Sequence, residues 1–416
     1  MIEARHSLEQ AQNLLCESVF SLPVTEDVFL LDALNRICAE QIDVTIPQPP
    51  FVRSPLDGYA LLHADTVGAC RAKPSRLAVT QHLFAGDTPV RPLYSGEAAR
   101  IMTGAMLPQN ADCVLGQEDT DEGEEIVTIY SSPQAMQNIV QVGGDLAAGQ
   151  ILAQPGVALT AHHIGLLASQ GLSEVRVTRR PKVAILATGD ELIMPGQPLP
   201  VGKIYNSNSY LLAARLRALG AEPVFCADYM SLANCTNWAN CADDLPSLCT
   251  ALRSLLAACD MVISTGGVSV GQKDYMPRAA SLLGGRVLFH GLNIRPGGPA
   301  MAAVLDGKVL LALSGNPFSA AVTFEVLAAP AVKKLAGRNV WLPRRLRGVA
   351  ANGLNKGGGP RRLVWANLTG QEVFFPPRGH NSGILLKLCA CNCLVDIPAD
   401  SPPVLAGEWV DVILPD

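Results

Sequence analysis

The sequence predicts a multidomain α/β and β protein: a central α/β domain with a mostly parallel sheet, an inserted β-rich module, a helical N-terminal domain and a C-terminal β-barrel. Three observations predict it. From residue 180 apolar strand-like runs alternate with segments of helical spacing, the pattern of a parallel sheet covered by helices. Stretches of helical spacing, two before and one after, flank a run of short β-prone segments cut by Gly, Pro and Asp. Beyond Gly337 only short β-prone runs remain. With 416 residues, 49% hydrophobic and 17% charged, the chain can bury several cores.

The elements follow in order. Ser7 to Cys16 and Val28 to Ala39 carry apolar residues at helical spacing, and Ile46-Pro47-Gln48-Pro49-Pro50 ends regular structure in a rigid connector. Ala78 to Phe84, Ala111 to Leu115 and Glu125 to Tyr130 read as strands. Helical spacing returns over Leu159 to Gln170, with Gly171 as its C-cap. The α/β pattern comprises Lys182 to Ala187, Asn208 to Leu219, Glu222 to Ala227, Leu245 to Ala258, Met261 to Ser264, Arg286 to His290, Val309 to Ala312 and Ser319 to Leu335. Met230 to Asn240 reads as a surface insertion. Leu363 to Leu368, Glu372 to Phe375, Leu394 to Ile397 and Glu408 to Leu414 are the barrel candidates. The expected domains are 1–45 with 143–178, 46–142, 179–337 and 338–416.

A net charge of −5 with no Lys/Arg cluster argues against nucleic-acid binding, so any anion site must be local. No apolar stretch is long enough to span a membrane, and the first residues, with Glu3, His6 and Glu9, do not form a signal peptide, so a cytoplasmic protein is expected. Twelve cysteines without a C-x-x-C pair suggest reduced, buried thiols. Cys389, Cys391 and Cys393 would share one face of a strand; burial in the core, not metal binding, is the reading taken.

Chemistry enters at three polar turns. Met261 to Ser264 runs into Thr265-Gly266-Gly267-Val268-Ser269-Val270-Gly271, with Asp274-Tyr275 shortly after. A strand that breaks into a glycine-rich turn can bring backbone N–H groups against an oxyanion. The spacing is neither G-x-G-x-x-G nor a Walker loop. Thr188-Gly189-Asp190-Glu191 and Ser314-Gly315-Asn316-Pro317 would leave other strands of the same domain at the same edge, and ligands of α/β sheets gather at the carboxyl ends of strands. Each residue also has a plain structural reading. Asp57 before Gly58 and Asp145 after Gly144 suit turns, Asp243 suits a helix start, and Asn316 before Pro317 suits an N-cap with Ser319 in the first turn.

Taken in order, these pieces resemble the molybdopterin molybdenumtransferase family, which includes the C-terminal domain of gephyrin. The resemblance rests on Pro50-Phe51-Val52-Arg53-Ser54-Pro55-Leu56-Asp57-Gly58-Tyr59-Ala60, Arg100-Ile101-Met102-Thr103-Gly104-Ala105 with Ala111-Asp112, Gly144-Asp145 with Gly149, Arg180-Pro181-Lys182-Val183, Ala187 to Leu192, Asn206-Ser207-Asn208, Thr265 to Gly271 with Asp274-Tyr275, and Gly315-Asn316-Pro317. It implies insertion of molybdenum from molybdate into adenylylated molybdopterin, with release of AMP and assistance from Mg²⁺. It also implies a homodimer whose site lies between the α/β domain of one chain and the β-rich module of the other. Further implied partners are the molybdopterin adenylyltransferase and molybdoenzyme apoproteins; nucleic acid and membranes are not among them.

The resemblance assigns catalytic roles to Asp57, Thr103, Asp145, Glu191 and Asp274, with Glu191 and Asp274 as metal carboxylates. It assigns substrate binding to Thr188, Gly189, Asp243, Thr265, Gly266, Gly267, Ser269, Gly271, Arg295, Pro299, Gly315, Asn316, Ser319 and Ser382. An adenylyl anhydride needs phosphate charge screened, and Mg²⁺ favours carboxylates and water. Where the family shows Lys-Pro-Gly-Lys-Pro, this chain has Arg295-Pro296-Gly297-Gly298-Pro299, and two further expected arginines fall at Val140 and Trp365. The acidic positions are kept and three cationic ones are missing, with Arg361, Arg362, Lys273 and Lys203 nearby to compensate. A lysine at 298 would then strengthen oxyanion binding by about 1 to 2 kcal/mol, unless the turn needs glycine. Two other functions stay open: the related adenylyltransferase, against which the extra domains count, and a non-catalytic molybdopterin-binding or scaffold paralogue.

Overall fold

The computed structural model describes residues 5–225, 244–268, 275–376 and 385–415. The chain forms two compact units, one of Met1–Glu40, Pro155–Ile164 and Ser173–Asp416, the other of Gln41–Gln154 and Gly165–Leu172. No helix of the described residues is long and apolar enough to cross a membrane.

The larger unit is built on a six-stranded sheet. In spatial order its strands are Glu222–Phe225, Lys182–Ala187, Met261–Thr265, Lys308–Leu313, Met301–Leu305 and Arg286–His290. The first four are parallel. Only Met301–Leu305 is reversed: it runs antiparallel to Lys308–Leu313, and Arg286–His290, antiparallel in turn to Met301–Leu305, points the same way as the first four. The cause is a hairpin: Asp306 and Gly307, at φ 49° and 76°, form a two-residue turn that returns Met301–Leu305 directly onto Lys308–Leu313.

Strand alternation divides the apolar residues between two faces. Val183, Ile185, Met261, Ile263, Val309 and Leu311 pack with Leu212, Leu216 and the apolar residues from Phe318 to Leu335. Ala184, Leu186, Val262, Leu310 and Ala312 pack with Leu248, Leu252, Leu255 and Met276 from the opposite helices. Each fully buried aliphatic side chain of this kind contributes roughly 1.5 to 3 kcal/mol. The sheet is therefore rigid where its strands end.

Two helices deserve a physical account. Leu8–Glu17 is closed by a capping box between Ser7 and Gln10 and buries Leu8, Ala11 and Leu15. The segment expected as one helix, Ser319 to Leu335, is helix Pro317–Thr323, a π-turn over Phe324–Ala328 and helix Ala329–Leu335. Pro330 has no N–H to give Val326, and the Gln12 side chain donates to Val326 O at 2.7 Å instead.

The expected helix from Val28 to Ala39 is a correction. Thr25–Phe29 is a strand paired antiparallel with Glu174–Thr178, followed by a 3₁₀ turn at Leu30–Ala33. Charge pairing favours it: across the strands Arg176 donates to both carboxylate oxygens of Asp27, at 3.0 and 2.9 Å, and beyond them Arg36 pairs with Glu26. Asn35, at φ 63°, then turns the chain out of helical geometry.

The C-terminal residues form a closed five-stranded barrel. Arg361–Thr369 pairs with Glu372–Phe374 and Cys393–Ile397, Arg344–Ala350 pairs with Glu372–Phe374 and Trp409–Leu414, and Cys393–Ile397 pairs with Trp409–Leu414. Ile294–Arg295 adds a parallel strand to its outside, with Arg295 opposite Arg362. The expected shared face of Cys389, Cys391 and Cys393 does not form. Leu385–Ala390 is a 3₁₀ helix, so exposed Cys389 and buried Cys393 belong to different elements.

The smaller unit carries a five-stranded sheet in the order Cys113–Gly116, Gly58–Leu61, Glu97–Ile101, Ser75–Leu83 and Ile126–Ile129. The insertion expected at Met230 to Asn240 lies outside the described residues.

Candidate functional site

The parallel register places Ala187, Thr265 and Leu313 side by side, so the three polar turns leave the sheet together. They are tied by backbone contacts: Thr188 N donates to Thr265 O at 3.1 Å and Gly266 N to Leu313 O at 3.1 Å. Glycine is required at 266. Its φ is 99°, and a Cβ there would lie 2.6 Å from Thr188 Oγ1.

A cavity of about 230 Å³ opens at this edge, lined by Thr188, Gly189, Glu191, Tyr205, Asn206, Asn208, Thr265, Gly266, Gly267, Gly315 and Pro317 among others. It thus gathers six of the substrate-binding candidates and Glu191. Glu191 is exposed at the rim, its carboxylate folded back over Gly189, whose φ of 143° admits that approach. Asn316 behaves as its plain reading foresees: its side-chain oxygen accepts from the N–H groups of Phe318 and Ser319 at 3.1 and 3.2 Å. Those two donors are therefore engaged within the chain. The helix from Leu245 is capped by Asp244, which accepts from Ser247 N at 2.9 Å; Asp243, Ser269, Gly271, Lys273, Asp274 and Ser382 lie outside the described residues.

A second polar group sits in the same unit at the barrel. Arg295 and Arg362 stand opposite each other across a strand pair, and Lys356 lies near both. Burial and then the charges of Arg362 and Arg295 push the Lys356 ammonium below the usual lysine range. Among the described residues none of the three has a carboxylate partner, so the group is an electropositive patch. Arg361 is committed elsewhere, to Asp396 and Glu9, and Lys203 donates to Asp190 O at 2.6 Å. Trp365, where the resemblance leads one to expect an arginine, is buried in the core, and Arg362 is the cation of this strand that faces Arg295. Pro299 follows in the same turn, half-buried, and does not line the cavity.

In the smaller unit Asp57 precedes the Gly58–Leu61 strand and Thr103 follows Glu97–Ile101, and these strands pair. Asp57 Oδ1 accepts from Thr103 N and from Thr103 Oγ1, both at 2.7 Å. The Thr103 N–H and then its hydroxyl hold the Asp57 carboxyl below the usual aspartate range, so it stays ionised at neutral pH. Asp145 is met by Arg53 Nη2 at 3.3 Å. Arg53 is itself bridged to Val140, so this cation stands beside the position where the sequence lacks one.

The sequence reading did not single out Tyr205 or Asn208 as site residues. The signal available was position: the segment from Ile204 to Asn208 enters the helix Asn208–Ala218 that follows the Glu191 turn.

Three family models cover the chain in order: MoeA N-terminal region (domain I and II) over residues 6–171, probable molybdopterin binding domain over 184–334, and MoeA C-terminal region (domain IV) over 347–414. A molybdopterin molybdenumtransferase of Staphylococcus epidermidis is 34% identical over 391 residues, 93% of this chain and 90% of its own length. The chain belongs to the molybdopterin molybdenumtransferase family. A Staphylococcus aureus relative of the same name is 34% identical over 390 residues. A molybdopterin biosynthesis protein of Pyrococcus horikoshii superposes with a TM-score of 0.83 at 31% identity, covering 99% of both chains. A second structure from that organism gives 0.84 at 26% identity over 99% of this chain. The family consists of transferases of molybdenum cofactor biosynthesis.

Proposed function

We propose that this chain inserts molybdenum from molybdate into adenylylated molybdopterin with release of AMP, and that the cavity at the strand ends holds the adenylylated substrate. The observation that carries this reading is the convergence of the 188–191, 265–267 and 314–317 turns on one cavity with the exposed Glu191 carboxylate at its rim, in a chain of this family. The Gly266–Gly267 backbone forms the close-approach surface for a phosphate, where side chains would intervene. Molybdate, an acceptor-only dianion, is drawn to the patch of Arg295, Arg362 and Lys356, whose charges have no carboxylate partner among the described residues.

Cleavage of the adenylyl anhydride adds water across the phosphorus–oxygen bond and leaves AMP and the molybdopterin phosphate. Asp57, held ionised by Thr103, and Asp145, paired with Arg53, are fixed acceptors for a proton or a substrate hydroxyl in the smaller unit. The donor set also suits Mg²⁺, which takes one or two carboxylates and completes its shell with substrate phosphates and water. Glu191 would hold it, with Asp274 as the second carboxylate implied by the resemblance, and the ion would screen phosphate charge. The homodimer implied by the resemblance is part of this proposal.

The test is AMP release. Incubation with adenylylated molybdopterin, molybdate and Mg²⁺ should release AMP, and Glu191→Gln should lower the rate on the order of 10²-fold with folding intact. No AMP from the wild-type protein would leave a binding or scaffold role; wild-type turnover in the glutamine variant would remove Glu191 from the mechanism.

A further inference from the structure

Thr188 Oγ1 and Asn208 Oδ1 are buried without a hydrogen-bond partner among the described residues, and both residues line the cavity at the strand ends. Each residue is 8% exposed. Nearly all buried polar atoms in folded proteins find partners, so two orphans on one cavity wall point to a ligand.

The surrounding hydrogen bonds fix which atom of Asn208 is left over. Asn208 Nδ2 donates to Gly315 O at 2.8 Å and to Thr265 Oγ1 at 2.8 Å, and Thr265 Oγ1 donates onward to Ser314 O at 3.2 Å. A backbone carbonyl only accepts, so the amide nitrogen must face Gly315 and both its hydrogens are used. What remains is Oδ1, an acceptor with no hydrogen of its own. An ionised phosphate or molybdate brings only acceptors and would be repelled there. An O–H or N–H donor would satisfy it.

We propose that Asn208 is a specificity-determining residue: it clamps the 265–267 turn to the 314–315 turn through its amide nitrogen, and its Oδ1 accepts a hydrogen bond from an O–H or N–H of the adenylyl group. The nucleoside end of the substrate then lies against Asn208 and Thr188, and its oxyanion lies against the Gly266–Gly267 backbone. This inference rests on the reading that the cavity holds adenylylated molybdopterin. The donors an adenylyl group offers are the ribose 2′- and 3′-hydroxyls and the exocyclic amine.

The probes are AMP, 2′-deoxy-AMP, 3′-deoxy-AMP and purine riboside 5′-monophosphate, which lacks the amine, each titrated calorimetrically into the full-length protein. One of the three analogues should bind at least tenfold more weakly than AMP, and Asn208→Ala should bind that analogue and AMP alike. Equal affinity for all four ligands in the wild-type protein overturns the proposal, as does discrimination that survives in Asn208→Ala. Should Asn208→Ala fold poorly, Thr188→Val serves as the second variant. It removes a hydroxyl with no hydrogen-bond partner among the described residues, so melting should hold or rise while AMP affinity falls severalfold; lower stability with unchanged affinity counts against the ligand-facing role. Failure of AMP itself to bind the wild-type protein refutes the assignment of the cavity and takes this inference with it, whereas AMP bound without discrimination refutes the inference alone.

Discussion

Of the three positions where the sequence lacks an expected charge, two have a cation beside them in space, and the strand of the other carries one that faces Arg295. Arg53 reaches Asp145 from its bridge to Val140, Arg362 faces Arg295 while Trp365 is buried, and Arg5 Nη1 lies 3.7 Å from where a Cβ on Gly298 would stand. The third case revises the expectation for a lysine at 298. Gly298 does not hold a left-handed backbone, so its constraint is space: a Cβ would meet Ile294 O at 3.2 Å and Leu292 O at 3.4 Å. The Gly298 carbonyl accepts from Leu292 N at 2.7 Å and Ala300 N at 3.0 Å, which leaves the turn little room to yield. We therefore expect Gly298→Lys to destabilise the protein by about 1 kcal/mol, the low end for overpacking, and not to tighten molybdate binding. Denaturant unfolding and molybdate titration at low and high salt check both halves. Unchanged stability with tighter, salt-sensitive binding would show that the turn accepts a side chain.

At the scale of elements, the barrel is joined to the N-terminal helix through one buried carboxylate. Asp396, 6% exposed, accepts from Arg361 Nε and Nη2, both at 2.6 Å, and from Arg345 Nη1 at 2.8 Å, and Arg361 also pairs with Glu9 of helix Leu8–Glu17. Burial alone would raise the Asp396 pKa, but the hydrogen bonds and charges of Arg361 and Arg345 outweigh it and hold it below the usual aspartate range. A depressed native pKa contributes stability that is present above the unfolded value, about 3.9, and lost as pH falls through the native value. Asp396→Asn should therefore destabilise the barrel by roughly 3 kcal/mol at pH 7, and the gap to wild type should shrink below about pH 4. Melting curves with amide exchange in Cys393–Ile397 measure it, and a gap that stays constant down to pH 2 would discount the ion pair. Elements of this kind differ in how far the sequence discloses them. Leu245–Ala258 and the Met261–Thr265 strand are legible because their apolar spacing is local and their ends carry Asp244 and a glycine turn. Met301–Leu305 was also within reach, since Asp306-Gly307 is a hairpin signal that the reading passed over. Thr25–Phe29 was not: its partner begins at Glu174, and no local period reports a strand pairing at that distance.

For the whole molecule, the acidic candidates divide between the two compact units: Asp57 and Asp145 belong to the one spanning Gln41–Gln154, and Glu191 to the other. Sequence order alone could gather the strand-end turns, because a parallel sheet aligns them, but it could not show Asn208 reaching Thr265 and Gly315. Nor can one chain's sequence say whether the two acidic groups that serve one reaction come from one copy or two. On the proposed homodimer with a shared site, an Asp57→Ala chain and a Glu191→Gln chain each form inactive dimers, yet a mixed dimer carries one site with both residues intact and one with neither. Random pairing of equal amounts makes about half the dimers mixed, so activity should return to about a quarter of wild type. If each site were instead built within a single chain, every site in the mixed dimer would lack one residue and nothing would return. Subunit exchange confirmed by mass spectrometry, followed by the AMP-release assay, separates the two arrangements. A monomer in sedimentation, or a confirmed mixed dimer that stays inactive, would rule out the shared site.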